Sequence, residues 1–563
     1  MKKWTLVLIG VVLIFGGAIV AHITRTDGGI KVRDVRFATP SGVVMSAFLY
    51  IPPNATAQAP APGILAVHGY VNSRETQDGF AIEFARRGYV VLEMDQRGHG
   101  YSDGPAFADG FGGPAGLAYL RTFDFVDKNN IGLEGHSMGG WTVLAAAAAM
   151  PNDYKAIVLE GSSTGAPFAK DGTKDWPRNL GLVYSKYDEF SQLMWGVAKP
   201  VEIVGSKKLQ DLFGSTEIKP ETVYGDINAG TARVLYQPAV THPGDHISKV
   251  AIGHALDWFS KTLVGGTLKP VDDQIWLHKE LATLAVLIGI MVLALGAFDV
   301  ALGLPAFASL NARPIPGRIT RAGGWWIAFL LSTLIPAIAY FPLAGGGYQA
   351  IGALPWLPQQ VTNGFMVWAL GVAVVSLILQ LVFKGRGAVF SGGVLASLGI
   401  AIVTALVCYG ALALVGAAYD VDARFWIVAL KLMSATQMKI FAVYILPFTV
   451  FFVLAMRSMH ATLSVEGQGA FSQYVWNALS QVLGLFLVLG LLYAALFATG
   501  GLPLPDLALF AIVGLPFIPV LTFTAIFSTF AWRRTNSYLP GAFFGAIFVT
   551  WMVVAGQATQ VPF

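Results

Sequence analysis

The sequence predicts two architectures in one chain: an α/β domain with a mostly parallel sheet over residues 28–265, then an all-α transmembrane helix bundle over 275–563. Three observations carry this. Strand and helix patterns alternate through the first half, which implies a parallel sheet with helices on both faces. The turn Gly135-His136-Ser137-Met138-Gly139 lies between the apolar strand pattern 131–134 and an Ala-rich helix pattern that runs to residue 150. Beyond residue 281, long apolar runs replace the charges that crowd residues 25–280.

Taken in order, the chain starts with Lys2 and Lys3 and an apolar run from Thr5 to Ala21. Ile19-x-Ala21 has the small-residue form of a cleavage site, but the run exceeds the 7–15 residues usual for a signal peptide. An uncleaved anchor over residues 1–22 is therefore expected. Residues 31–37 and 43–51 alternate as two opening antiparallel strands. Residues 63–67 form a buried strand ending in His68-Gly69-Tyr70, and residues 89–94 a second one ending in Asp95-Gln96-Arg97-Gly98-His99-Gly100-Tyr101-Ser102. Helix patterns cover 76–87, 116–127 and 140–150. Residues 156–159 are a further strand, ended by Glu160. Residues 161–221 lose strand character and gather aromatics (Phe168, Trp176, Tyr184, Tyr187, Phe190, Trp195, Phe213), the pattern of an insertion or lid. Residues 222–225 resemble a penultimate strand and 233–237 the last strand, with a closing helix at 248–263.

Strand-His-Gly, strand-D-x-R-G-x-G-x-S and strand-G-x-S-x-G, in this order over residues 30–265, resemble the α/β-hydrolase superfamily of serine esterases, lipases and peptidases. The resemblance implies Ser137 as nucleophile and the backbone amides of Tyr70 and Met138 as oxyanion hole. It makes His68, His99 and Arg97 structural. The order Ser, acid, His places the base at His242, counted from the last strand, or at His246, counted back from the closing helix. Asp226, after the expected penultimate strand at 222–225, is the expected acid. Too few residues separate it from residue 233 for the helix the family usually carries there, so Glu160 is the alternative. His242, Asp245 and His246 lack the helix and third ligand that a metal site would need. No metal or other cofactor is expected.

Composition sets the setting. The chain is 55% hydrophobic and 12% charged, against about 25% charged in soluble domains. Eight candidate spans fall near 280–301, 325–345, 362–383, 390–416, 438–456, 473–498, 505–530 and 538–556. With Lys2 and Lys3 inside, alternation puts Arg313, Arg318, Arg321, Lys384, Arg386, Arg457, Arg533 and Arg534 inside as well. The α/β domain is then extracytoplasmic, and the expected location is a bacterial plasma membrane. Arg424 to Lys439 has the amphipathic pattern of an interfacial segment. Few ionisable groups fall inside the spans, which speaks against a proton-coupled pump.

A net charge of +4, scattered along the chain, excludes nucleic acid as a partner. The single Cys408 permits no internal disulfide. Partners expected are the lipid bilayer and a small or lipid-linked substrate; the sequence does not define an oligomeric state. The leading expectation is a membrane-bound serine hydrolase acting on an ester or amide through an acyl-serine. The alternatives are an acyltransferase, or a transporter or receptor that uses a hydrolase-like domain to bind ligand.

Overall fold

A computed structural model describes residues 4–383 and 393–563. Lys2, Lys3, Lys384 and Arg386 lie outside the described residues.

Helix α1 (Trp4–Arg25) leads into a sheet of eight strands: β1 (Lys31–Ala38), β2 (Val44–Ile51), β3 (Ala61–Val67), β4 (Val90–Met94), β5 (Val126–His136), β6 (Ala156–Glu160), β7 (Leu180–Val183) and β8 (Arg233–Tyr236). Their spatial order is β1-β2-β4-β3-β5-β6-β7-β8. The β1–β2 and β2–β4 pairings are antiparallel, and every pairing from β4 through β3 to β8 is parallel. Helices α2 (Asp78–Arg86), α3 (Gly113–Leu120), α4 (Met138–Ala149), α5 (Ser191–Trp195), α6 (Lys207–Phe213) and α7 (Lys249–Thr262) fill the crossovers and close the domain. The two-residue side-chain period splits each strand between two cores. Leu65, Val67, Leu92 and Leu133 face α3 and α4, whereas Ile64, Ala66, Val91 and Val158 face α2 and α7 with Phe80, Phe84, Trp258 and Phe259. Both faces are therefore covered, as a parallel sheet requires.

Two features of the middle of this domain differ from the sequence expectation. Residues 222–225 are not a strand; only Tyr224 makes an isolated bridge, to Arg233. The penultimate strand is β7, inside the segment expected to be an insertion. Its four residues Leu180-Gly181-Leu182-Val183 are buried on both faces and so show no alternation. Gly181 admits the indole of Trp258, whose Cδ1 would lie 2.7 Å from a Cβ there.

The second half holds helices α8 (Trp276–Ala301), α9 (Gly323–Ile338), α10 (Gly346–Ile351), α11 (Gln360–Val382), α12 (Val394–Tyr419), α13 (Ala435–Leu463), α14 (Ala470–Thr499), α15 (Ala508–Gly514), α16 (Phe517–Thr535) and α17 (Leu539–Gly556). With α9 and α10 joined through a π-turn, and α15 and α16 forming one span, nine apolar helical segments among the described residues are long enough to cross a bilayer. The protein is thus a multi-pass membrane protein. Helix α1 packs backbone to backbone on α8, a contact that small residues allow. A Cβ at Gly17 would lie 2.5 Å from the Ala282 carbonyl oxygen, and one at Gly296 2.6 Å from the Val7 nitrogen.

The α/β domain is locked onto this bundle by buried charge. Asp78, at the start of α2, meets Arg25 of α1 at 3.3 Å and Lys279 of α8 at 2.6 Å. Residues 424–439, expected to lie along the membrane interface, instead begin as a hairpin, β9 (Ala423–Phe425) and β10 (Val428–Leu430), before α13 starts. The hairpin turns Arg424 toward the α/β domain. Its guanidinium donates to Ser73 and Thr76, each at 3.0 Å, and pairs with Glu75 at 3.3 Å and Asp422 at 2.6 Å. Arg424 is 1% exposed, so its charge finds no water and depends on these partners. Glu75 loses solvation by burial, but Lys431, Arg74 and Arg424 outweigh that and hold its carboxyl well below the usual range. At the other end of α8, Asp299 pairs with Arg534 at 2.8 Å.

Candidate active site

Ser137 sits where β5 turns into α4, with φ 55° and ψ −120°. Such a backbone is strained for a residue with a Cβ, and it lifts the hydroxyl out of the turn. The flanking glycines have a steric reason. A Cβ at Gly135 would lie 2.3 Å from the Gly139 carbonyl oxygen, and one at Gly139 2.1 Å from that of Val67. The Ser137 amide donates to the Glu160 carbonyl oxygen at 2.7 Å, tying the turn to the end of β6.

His242 lies beyond β8, 5% exposed, and lines the same cavity as Ser137. Its Nδ1 is 2.8 Å from Oδ2 of Asp188, which follows β7 and is 1% exposed. Burial lowers the imidazole pKa, but the facing Asp188 and the nearby Glu189 carboxylates outweigh burial and raise it above its ordinary value. The His242 amide donates to Glu189 Oε2 at 2.7 Å, and Glu189 Oε1 accepts from the hydroxyl of Tyr493, on membrane helix α14, at 2.8 Å. Burial and the neighbouring Asp188 push the Glu189 carboxyl up to about 7. Gly161, at φ +52°, leaves room for this pair: a Cβ there would lie 2.7 Å from His242 Nδ1.

The other expected residues fall elsewhere. Asp226 is exposed in a turn after residue 225, where its carboxylate accepts from the Ala229 amide at 2.9 Å. It is not brought to His242, because the strand that leads to the site is β7 rather than 222–225. Glu160 is fully buried at the end of β6, and both carboxylate oxygens lack a hydrogen-bond partner. Burial, with Glu134 and Asp245 nearby, raises its pKa well above the usual range. His246 also lines the cavity, but its ring packs on His136 at 4.1 Å between centroids and its Nδ1 has no partner. Burial, and then His136 and His242, lower its pKa well below the ordinary value. Asp188 is the residue that sequence reasoning missed. The available signal was an apolar run followed at short range by Tyr184, Ser185 and an Asp-Glu pair.

Tyr70 and Met138 flank Ser137 in the cavity wall. The loop of Tyr70 abuts the elbow closely, since a Cβ at Gly69 would lie 3.1 Å from that of Ser137. His68 supports this loop: its Nε2 accepts from the Gln96 amide at 3.1 Å, and its Nδ1 lies 2.7 Å from the Gly69 carbonyl oxygen. Two further contacts come from beyond α17. Thr559 exchanges backbone hydrogen bonds with the 98–106 loop, N to Gly98 O and O from Ala106 N, both 2.8 Å, and the side-chain Nε2 of Gln560 donates to the Tyr70 hydroxyl. Phe107, Phe168 and Trp141 form an aromatic wall, with Phe168 at 5.7 Å from Phe107 and 5.0 Å from Trp141. The aromatics of 161–221 also meet the bundle, as Tyr187 packs edge-on against Phe497 at 5.0 Å.

The strand order, the elbow and the covered parallel sheet define an α/β-hydrolase domain, here joined to a transmembrane bundle. Comparison with known proteins agrees: a family model described as serine aminopeptidase, S33, matches residues 58–187. Over 183 residues the chain is 33% identical to a monoacylglycerol lipase of Mycolicibacterium smegmatis, covering 31% of this chain and 60% of that protein. Over 125 residues it is 34% identical to the quorum-quenching protein AidA of Acinetobacter baumannii, covering 20% and 39% respectively. The chain thus spans less than two thirds of either relative. Among solved structures, the esterase Pf2001 of Pyrococcus furiosus aligns with 43% of this chain and 96% of its own, at 20% identity and a TM-score of 0.31.

Proposed function

We propose that the protein is a membrane-embedded serine hydrolase that cleaves esters through an acyl-serine, with Ser137 as nucleophile, His242 as base and Asp188 as the acid that orients it. The observation that carries this reading is the strained Ser137 elbow in one cavity with a histidine bonded at 2.8 Å to a buried carboxylate. Asp188 on Nδ1 leaves the His242 Nε2 as the proton acceptor. The Ser137 oxygen attacks the ester carbonyl carbon while His242 takes its proton. The amides of Tyr70 and Met138 stabilise the oxyanion, the carbon–oxygen bond to the alcohol breaks, and His242 returns the proton to that alcohol. Water then attacks the acyl-serine through the same base, releasing the acid and restoring Ser137.

Ester cleavage is favoured over amide cleavage by similarity to a lipase, whereas the aminopeptidase description favours the reverse. Turnover of aryl esters against aminoacyl arylamides separates the two. Charge supports one placement in the membrane. Arg534 lies at the end of α8 opposite to the Lys279–Asp78 contact, and Arg318 caps the last carbonyls of α13 through Thr462. Arginines gathered at the end away from the α/β domain support a cytoplasmic bundle face and an extracytoplasmic site.

The test is labelling of intact cells by a membrane-impermeant fluorophosphonate. Wild type is expected to label and Ser137→Ala to lose all label. A folded wild type that stays unlabelled even after permeabilisation overturns the serine mechanism; label that appears only after permeabilisation overturns the sidedness. Gly161→Ala, which crowds His242 Nδ1, is expected to lower ester turnover about 10²-fold. Initial rates in detergent with purified protein check this.

A further inference from the structure

The catalytic cavity does not end at the α/β domain. It has a volume of about 670 Å³, and besides the α/β domain its walls are supplied by the bundle, mainly through Phe365 of α11, Phe510 and Val513 of α15, Phe517 of α16, and Met552 and Val553 of α17, with Tyr348, Asp506 and Gln557 as polar members. The six apolar side chains offer no hydrogen bond. A sugar, peptide or charged leaving group placed against them would lose its hydration for nothing in return. An alkyl chain gains there, by about fourfold in affinity for each methylene buried. The volume lies within the range of sites that enclose a whole small molecule. Gly556, at the end of α17, also lines the cavity, and a Cβ built on it meets no atom within 4 Å, so there is unfilled space beside it.

We propose that the transmembrane bundle is the acyl-binding subsite of the hydrolase: the substrate is an amphiphilic ester whose acyl chain lies among α11, α15, α16 and α17 while its carbonyl reaches Ser137. This rests on the serine-hydrolase reading and adds a task for the bundle that anchoring does not require. The competing acyl site is the aromatic wall of the α/β domain itself, Phe107, Trp141 and Phe168.

An alkyl fluorophosphonate with a ten-carbon chain and a terminal diazirine tests this on the full-length protein in detergent or bilayer. After it labels Ser137, irradiation and peptide mapping locate the chain end. Crosslinks within 508–517 or 552–556 are expected. Crosslinks confined to residues 107–168 overturn the inference and leave the serine mechanism standing; failure to label Ser137 overturns both. A second measurement uses p-nitrophenyl esters. Gly556→Trp, which fills the open space, is expected to lower the ratio of kcat/KM for decanoate to that for acetate at least tenfold. An unchanged ratio in a variant that still labels overturns the inference.

Discussion

Asp188→Asn is expected to lower kcat on an ester by a factor on the order of 10³–10⁴, while Asp226→Asn leaves it within about twofold. Asp188 is buried, and its Oδ2 bonds His242 Nδ1, so in the proposed mechanism it selects the tautomer that exposes a basic Nε2 and stabilises the imidazolium formed during attack. Asparagine in its place presents an amide that does neither. Asp226 only closes an exposed turn. The same pair sets a pH dependence. His242 must be neutral to act, and its pKa is raised in the folded protein, so activity falls as pH drops through a midpoint above the ordinary histidine value of about 6.5. Without the Asp188 charge the strongest raising influence on His242 is lost, and the midpoint moves to lower pH. A pH–rate profile of both proteins measures the shift; an unmoved acid limb sinks the assignment of Asp188.

Arg424→Met is expected to cost about 3–5 kcal/mol of stability, because it strands Glu75 and Asp422 without the cation they share. Lys431 and Arg74 act on Glu75 as well, which places the loss toward the lower end of that range. Replacing Glu75 with glutamine in the same chain should recover part of the loss, since the remaining groups are then closer to neutral. Thermal unfolding in one detergent at fixed protein concentration compares the three proteins. The single variant should also lose ester turnover beyond what its unfolded fraction explains, since Ser73 and Glu75 lie just past Tyr70. A melting temperature equal to wild type would show that the hairpin does not hold the two domains together.

What the sequence made legible was local. The Ser137 elbow is written in five consecutive residues, the opening strands in an alternation of period two, and the nine membrane segments in runs of apolar residues. What it hid depended on contact at long range. Asp188 and His242 meet across a large loop, and β7 is too short and too evenly buried for any periodicity to mark it. Beside the Asp-Glu pair after the apolar run, a second clue was negative: residues 226–233 leave no room for a helix, whereas α5 and α6 fit between β7 and β8. The hairpin at 423–430 was obscure for a related reason. Its polar residues look interfacial in the sequence, but Arg424 is polar because it faces the buried carboxylate of Glu75 in the α/β domain.

The contacts of Thr559 and Gln560 bear on when the protein becomes active during its synthesis. The sheet and its elbow are complete by residue 262, yet the loop carrying Tyr70 is secured by residues that follow the ninth membrane segment. A ribosome adding about 5–20 residues per second needs some tens of seconds to cover that interval. Throughout it the loop carrying Tyr70 lacks its contacts with Thr559 and Gln560. On the proposed mechanism, the oxyanion site is therefore completed only once the last helix is in place.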